Sequence, residues 1–103
     1  MIRQKPKLEK GREYRIQLYP QHETVNTNYL GEGRIDVNQS LIHIFSNNDL
    51  YIFVNNHFME DAQGTITHNS FCSFIIQSIK KDNRAALEKS GLIKLLKTLG
   101  VAA

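Results

Sequence analysis

The sequence contains one cysteine, Cys72, which excludes an internal disulfide and a zinc site built from four cysteines. Such sparse use of cysteine is typical of a reducing compartment. No apolar run approaches the roughly 18 residues that a membrane-spanning helix requires. The N-terminal stretch MIRQKPKLEKG also lacks the apolar segment of a signal peptide. The sequence therefore predicts a cytoplasmic protein that does not enter a membrane.

The motifs of common catalytic and cofactor sites are also missing. The four histidines and the cysteine form no CxxC, HxH or HExxH pattern. Gly31 and Gly33 are not followed by a lysine, and Glu32 between them would repel a phosphate group. Cys72 lies in an apolar stretch, where a thiol behaves as a small hydrophobic side chain. We therefore expect a protein that is not an enzyme, with no catalytic residue, no metal site and no cofactor.

Basic residues are nearly missing from the middle of the chain. Residues 16–79 contain one, Arg34, against six acidic residues, whereas residues 1–15 and 80–103 each contain six basic and two acidic residues. A polyanion would therefore meet the two ends of the chain rather than its middle. We expect residues 1–12 to form a flexible basic arm. The remaining residues, 13–103, have the length of one small domain.

Alternating side chains predict the first strands. Tyr14, Ile16 and Leu18 alternate with polar residues and indicate a half-buried strand that ends before Pro20. The polar residues 21–33 are predicted to form a loop, and residues 34–37 a second strand. The stretch MEDAQG, residues 59–64, predicts the turn of a hairpin in which Gly64 adopts a positive φ.

The stretch LIHIFSNNDLYIFVNNHF, residues 41–58, predicts a hairpin whose loop length decides which side chains share a face. A loop of two or four residues would mix aliphatic and aromatic side chains on each face. A loop of three or five would separate them, and we expect this odd loop. The core face would then contain Ile42, Ile44, Leu50, Ile52 and Val54. The other face would contain Leu41, His43, Phe45, Tyr51, Phe53, Asn55 and His57.

The C-terminal third is predicted to be helical. Residues 70–81, SFCSFIIQSIKK, fit a helical spacing of apolar residues better than a long strand, although both are open. Residues 82–100 predict a helix with Asp82 as N-cap and Gly100 at its end, with a break at Gly91 as an equal alternative. The predicted fold is α+β, a small antiparallel sheet of four or five strands followed by C-terminal helices. The predicted core comprises Ile16, Leu18, Ile35, Val37, Ile42, Ile44, Ile52, Val54, Ile75, Ile79, Leu92, Leu95 and Leu96.

Two functions fit these features. The first is a protein-binding inhibitor or accessory factor, of phage or mobile-element type, that acts by occlusion; an edge strand or the C-terminal helix could also mediate a homodimer. The second is binding of single-stranded DNA or RNA by an exposed aromatic sheet face and basic termini. The stretch LEKGREYRIQLYP, residues 8–20, resembles the first strand of phage single-strand-binding domains of the five-stranded barrel type. The candidate binding residues are Lys5, Lys7, Arg12, Arg15, His43, Phe45, Tyr51, Phe53, Asn55 and His57.

Overall fold

The computed structural model describes residues 8–18, 23–34, 41–55, 58–67 and 76–101. These residues contain seven strands and two helices. The strands are β1 Glu13–Gln17, β2 Thr24–Arg34, β3 Leu41–Ser46, β4 Leu50–Asn55, β5 Met59–Glu60, β6 Ile66–Thr67 and β7 Ile76–Lys80. The helices are α1 Arg84–Lys89 and α2 Leu92–Thr98.

The strands form one mixed sheet in the order β5, β6, β1, β2, β3, β4, β7. Neighbouring strands pair antiparallel except β1 and β6, which pair parallel with Ile16 opposite Ile66. The predicted fold class, a mostly antiparallel sheet followed by helices, is confirmed. The sheet has more strands than the predicted four or five because two are very short and one lies where a helix was predicted.

The structures predicted for two segments, a loop at residues 21–33 and a helix at residues 70–81, were wrong. The polar residues 24–33 belong to the long strand β2 rather than to a loop, because exposed Thr24, Asn26 and Asn28 alternate with more buried residues facing the core. Residues 76–80 form strand β7 instead of a helix, since Ile76 and Ile79 pair with β4. The spacing of the apolar residues fits a strand as well as a helix, and pairing with β4 decides for the strand. Residues 21–22 and 70–75 of these predicted segments lie outside the described residues.

The β3–β4 hairpin has an even loop, so the prediction of an odd loop was wrong. Ser46 pairs with Tyr51, and the Asn47 N–H donates to the Leu50 carbonyl across a distance of 3.1 Å. The Asn47 side-chain oxygen accepts hydrogen bonds from the N–H groups of Asp49 and Leu50, at 2.9 and 2.8 Å. This Asx arrangement satisfies the tight turn without a glycine. Aliphatic and aromatic side chains are consequently mixed on both faces.

The apolar side chains form two clusters, on opposite faces of the sheet. The inner cluster comprises Ile16, Leu18, Tyr29, Phe45, Ile52, Val54, Phe58, Ile66 and Ile76. The helix-side cluster comprises Ile42, Ile44, Tyr51, Phe53, Leu87, Leu92, Leu95 and Leu96. Ile79, predicted as core, is only half-buried, while Ile35, Val37 and Ile75 lie outside the described residues. The mixed faces of β3 and β4 therefore give each cluster both aliphatic and aromatic members.

Two glycines of β2 let α2 pack closely on the sheet. A Cβ atom at Gly33 would lie 2.2 Å from Leu95 Cδ1, and one at Gly31 would lie 2.8 Å from Leu99 Cδ2. Gly31 also has a positive φ of 138° next to a register shift in the pairing of β2 with β3. The GEG stretch is therefore part of the contact with the helix, which only small residues permit at this distance.

The ends of both helices follow the local sequence. Asn83, rather than the predicted Asp82, caps α1 by accepting a hydrogen bond from the Ala86 N–H. The chain breaks at Gly91, which has a φ of 78°. Gly100 ends α2 with a φ of 80°, and the Val101 N–H donates to the Leu96 carbonyl as in a Schellman motif. The end at Gly100 was predicted, and the break at Gly91 was one of two equal alternatives.

The segment before β1 continues the pairing with β2. The Gly11 N–H donates to the Tyr29 carbonyl, and the Tyr29 N–H donates to the Arg12 carbonyl. Leu8 packs against the inner cluster. The predicted arm, residues 1–12, overlaps this hydrogen-bonded segment, while residues 1–7 lie outside the described part of the chain.

Candidate functional surface

One face of the β1–β2 hairpin is polar and exposed. Cross-strand pairing places Glu13 opposite Asn28, Arg15 opposite Asn26, and Gln17 opposite Thr24. Five of these side chains are exposed and Gln17 is partly exposed. The intervening residues of both strands face the inner cluster, as the period of two requires. We call the six polar residues the open face.

The open face ends where the helices begin to cover the sheet. Leu30 lies two residues beyond Asn28 on the same side of β2 and packs against the helix-side cluster. Gly31 and Gly33 then carry the contact with α2. One side of a single strand thus passes from exposed amides to a helix-covered surface within a few residues. The open face is accessible because the helical pair reaches only this far.

A cleft of about 440 Å³ adjoins the open face, between β1 and the β5–β6 turn. It is lined by Arg12, Glu13, Tyr14, Arg15, Asn26, Glu60, Gln63 and Gly64. The turn is ordered by Asp61, whose Oδ1 accepts hydrogen bonds of 2.9 Å from the N–H groups of Gln63 and Thr65. Gly64 supplies the predicted positive φ of 82°. The cleft therefore has walls made of regular strand and a hydrogen-bonded turn.

Arg15 connects the two walls of the cleft. Its Nη2 donates a hydrogen bond of 2.7 Å to the Gln63 carbonyl, across 48 residues of sequence. A guanidinium has five N–H donors, so this contact orients the group and leaves further donors. Arg12 lies nearby with its Cζ 5.8 Å from the Tyr14 ring centroid and its Nη1 3.9 Å from Glu9. Both side chains of this ion pair are well exposed, so the pair adds little stability.

The charge around the open face is mixed. Arg12 and Arg15 lie near the exposed carboxylates of Glu9 and Glu13, exposed Lys10 stands between Glu9 and Arg12 in sequence, and exposed Glu23 directly precedes β2. Surfaces that attract nucleic acid combine many basic groups, because each phosphate contact adds to affinity. This face instead combines both signs of charge with the amides of asparagine and glutamine. It offers donors and acceptors in close proximity.

The candidate binding residues fall into three groups. Arg12 and Arg15 lie together at the cleft. Phe45, Tyr51, Phe53 and His43 are buried, with exposed fractions of 0, 6, 6 and 7%. Asn55 is half-buried, and Lys5, Lys7 and His57 lie outside the described residues. The expected exposed aromatic face is therefore absent from the described strands, because both faces of β3 and β4 are covered.

Several residues of the surface were not among the candidates. Asn26 and Asn28 were assigned to a loop, although their alternation with Val25, Thr27 and Tyr29 was a detectable strand signal. Gln63 was assigned to a turn without a role. Its position beside Arg15 depends on the parallel pairing of β1 with β6, for which the local sequence contains no signal.

A buried polar group lies further along β2. The Tyr29 hydroxyl is 3.1 Å from His43 Nδ1, and Glu32 Oε2 is 4.0 Å from the same nitrogen. His43 also meets the Phe58 ring edge-on, with centroids 5.4 Å apart. Burial, together with the negative charge of Glu32 and then Tyr14, raises the pKa of Tyr29 from 10.0 to about 12. The histidine is thus packed into the inner side of the sheet.

A second, shallow depression of about 430 Å³ lies at the β3–β4 turn. It is lined by Asn48, Asp49, Lys80, Lys81 and Asp82. Lys81 places its Nζ 5.1 Å from the Tyr51 ring centroid, and its N–H donates to the Asp49 carbonyl. The two lysines are balanced by two aspartates, so this depression has no excess of one charge.

Two further properties bear on function. Among the described residues, no three His, Cys, Asp or Glu side chains are grouped closely enough to hold a metal ion. Neither α1 nor α2, the helices found in the described part of the chain, is long and apolar enough to cross a membrane. Comparison of the chain with protein-family models, with curated proteins and with solved structures yields no match.

Proposed function

We propose that the protein is a non-enzymatic binding protein that uses the open face to cover a surface of another protein. The observation that supports this proposal is the uncovered polar half of one sheet side, next to a half that the helices cover. Strands present these side chains in a fixed geometry, which lowers the entropy lost on binding. Such a protein acts by occlusion, as an inhibitor or accessory factor.

The charge of the surface favours a protein partner over a nucleic acid. Amide side chains both donate and accept hydrogen bonds, as a protein surface of mixed polarity requires. The exposed carboxylates Glu9, Glu13 and Glu23 would oppose a phosphate backbone at this face. The single cysteine supports placing this action in the cytoplasm.

Photo-crosslinking from a defined position tests the proposal. A photoreactive amino acid at Asn26, on the open face, is compared with the same amino acid at Gln77, which is exposed on β7. We expect a protein partner, including a second copy of the chain, to be crosslinked from position 26 and not from position 77. The crosslink should be lost when Asn28→Arg is added beside it and retained when Ser78→Arg is added. Crosslinking that is equal from both positions would contradict the proposal.

Binding of single-stranded nucleic acid is the alternative proposal, and the basic C-terminal segment supports it. Lys80, Lys81, Arg84, Lys89, Lys94 and Lys97 are all exposed there. Fluorescence anisotropy of labelled single-stranded DNA, RNA and duplex DNA, at low and high salt, separates the two functions. Tight single-strand binding that weakens steeply with salt and is lost with Lys80→Glu and Lys81→Glu would favour the alternative. Asn26→Glu and Asn28→Glu provide the matched control on the open face.

A further inference from the structure

The cleft beside the open face contains an arginine, Arg15, that has no anionic partner among the described residues. Arg15 is held by the Gln63 carbonyl, and no carboxylate of the described residues lies within ion-pair distance of its guanidinium. An oriented guanidinium presents a planar fork of donors that matches a carboxylate in a bidentate arrangement. The hydrogen bond to Gln63 reduces the freedom of the side chain before any ligand arrives.

We infer that this cleft binds one carboxylate group, from an aspartate or glutamate side chain of the partner protein. This inference rests on the proposed function and adds the chemistry of the contact. The carboxylate would accept hydrogen bonds from Arg15, with Arg12 near it at the rim of the cleft. The neighbouring Asn26 amide is positioned on the same side of the sheet, opposite Arg15.

The other charges of the cleft select a carboxylate over a phosphate. Glu13 and Glu60 line the same cleft, so an anion inside it meets two negative groups as well as two positive ones. Because the two glutamates offset the two arginines, the second charge of a phosphate adds as much repulsion as attraction, and removing it from water costs more than for a singly charged carboxylate. Glu13, which is exposed, is placed to accept a basic residue adjacent to the bound acid. The partner segment is therefore expected to carry charges of both signs.

Nuclear magnetic resonance of the arginine side chains tests this inference on the whole chain without a known partner. The Nε–Hε signal of Arg15 is followed during titration with sodium acetate, with sodium phosphate, and with sodium chloride at matched ionic strength. Arg84, which is exposed at the start of α1, serves as the internal control. We expect acetate to shift the Arg15 signal along a saturating curve, by about threefold more than the Arg84 signal.

Substitution of Arg15 tests whether acetate binding depends on the planar guanidinium or only on its positive charge. Arg15→Lys keeps the positive charge and removes the planar fork, so the acetate-dependent shifts of the Gln63 and Gly64 amide signals should disappear. Arg84→Lys should leave those shifts unchanged. A linear response that is equal at Arg15 and Arg84 would overturn the carboxylate site, and a stronger response to phosphate than to acetate would overturn the assignment of its ligand.

These outcomes are distinguishable from failure of the proposed function. Crosslinking from Asn26 together with a linear acetate response would leave the open face as a protein-binding surface and remove the carboxylate site. A saturating acetate response without crosslinking from Asn26 would leave an anion site and remove the protein-binding surface.

Discussion

The β3–β4 hairpin and the β1–β2 hairpin are neighbours in one sheet, yet only the first is buried on both faces. The sequences of β3 and β4, LIHIFS and LYIFVN, are nearly continuous in apolar residues. The sequences EYRIQ and TVNTNYL, in β1 and the first part of β2, alternate. Continuous strands bury both faces and alternating strands bury one. The alternating hairpin therefore keeps one face open to solvent, on which we propose that a partner binds, whereas both faces of the continuous hairpin belong to the apolar clusters.

The largest expected difference between the hairpins is the cost of removing a core ring. Phe45→Ala should lower the free energy of unfolding by about 3 to 5 kcal/mol, because Phe45 is fully buried in the inner cluster. Urea unfolding followed by circular dichroism measures this loss. A loss below about 1 kcal/mol would show that β3 can repack around the cavity and would weaken the comparison.

Gly33 lies where α2 covers the sheet, and substitution there tests the contact between strand and helix. Gly33→Ala should destabilise the protein by about 1 to 3 kcal/mol, because the added Cβ overlaps Leu95. The same substitution in a Leu95→Ala background should be much less costly, since the overlapping atom is gone. Denaturation of the two single variants and the double variant measures this coupling. Additive losses would mean that the Gly33 contact does not position α2.

Alkaline pH should lower the stability of the fold through Tyr29, a residue of β2 that pairs with β3. Its pKa is raised from 10.0 to about 12 in the folded protein, so the unfolded chain loses its proton first as pH rises. The stabilisation is complete below pH 10 and is lost as pH rises from 10 to about 12. Urea midpoints measured across this interval should decline less in Tyr29→Phe than in the wild type. An identical decline in both proteins would contradict the burial of this hydroxyl.

The even loop of the β3–β4 hairpin depends on one side chain. Asn47→Ala should lower the free energy of unfolding by about 1 kcal/mol, because the two N–H groups that donate hydrogen bonds to its side-chain oxygen lose their acceptor. Asn48→Ala, at the exposed neighbouring position, is the matched control and should be nearly neutral. Equal effects of the two substitutions in urea denaturation would indicate that the Asx turn does not set the register.

The smallest effect is expected on the open face. Asn26→Ala should change the free energy of unfolding by less than about 0.5 kcal/mol, since its side chain is exposed. Partner crosslinking from a photoreactive group at position 28 should nevertheless decrease in this variant. A stability loss comparable to that of Phe45→Ala would mean that the asparagines serve the fold instead of binding.

The elements that were predicted correctly depend on local signals. Alternation identified β1, and glycine residues located the turn at Gly64 and the end of α2 at Gly100, while they left the break at Gly91 as one of two alternatives. Each of these signals lies within a few residues of the element that it determines. Local sequence was therefore sufficient to predict the α+β fold class.

The missed features depend on contacts between distant segments. Strand β7 was ambiguous because its apolar spacing fits a helix as well, and only pairing with β4 decides between them. The odd loop was favoured on the assumption that aliphatic and aromatic residues separate onto different faces. Because both faces of β3 and β4 are buried, the fold needs no such separation. In the cleft, Arg12 and Arg15 followed from the charge pattern, but the contact of Arg15 with Gln63 did not.

The parallel pairing of β1 with β6 has a consequence for the time course of folding. The Arg15 contact with Gln63 closes a separation of 48 residues, whereas the β1–β2 and β3–β4 hairpins form between segments adjacent in sequence. Closing a long loop costs more entropy, so distant pairings tend to form after the local hairpins. The β5–β6 turn is held to β1 by a short register and is expected to open first in local fluctuations. Amide hydrogen exchange should thus be faster at Gln63 and Gly64 than in β3. The β5–β6 wall of the cleft is then the last part of the sheet to form and the first to open.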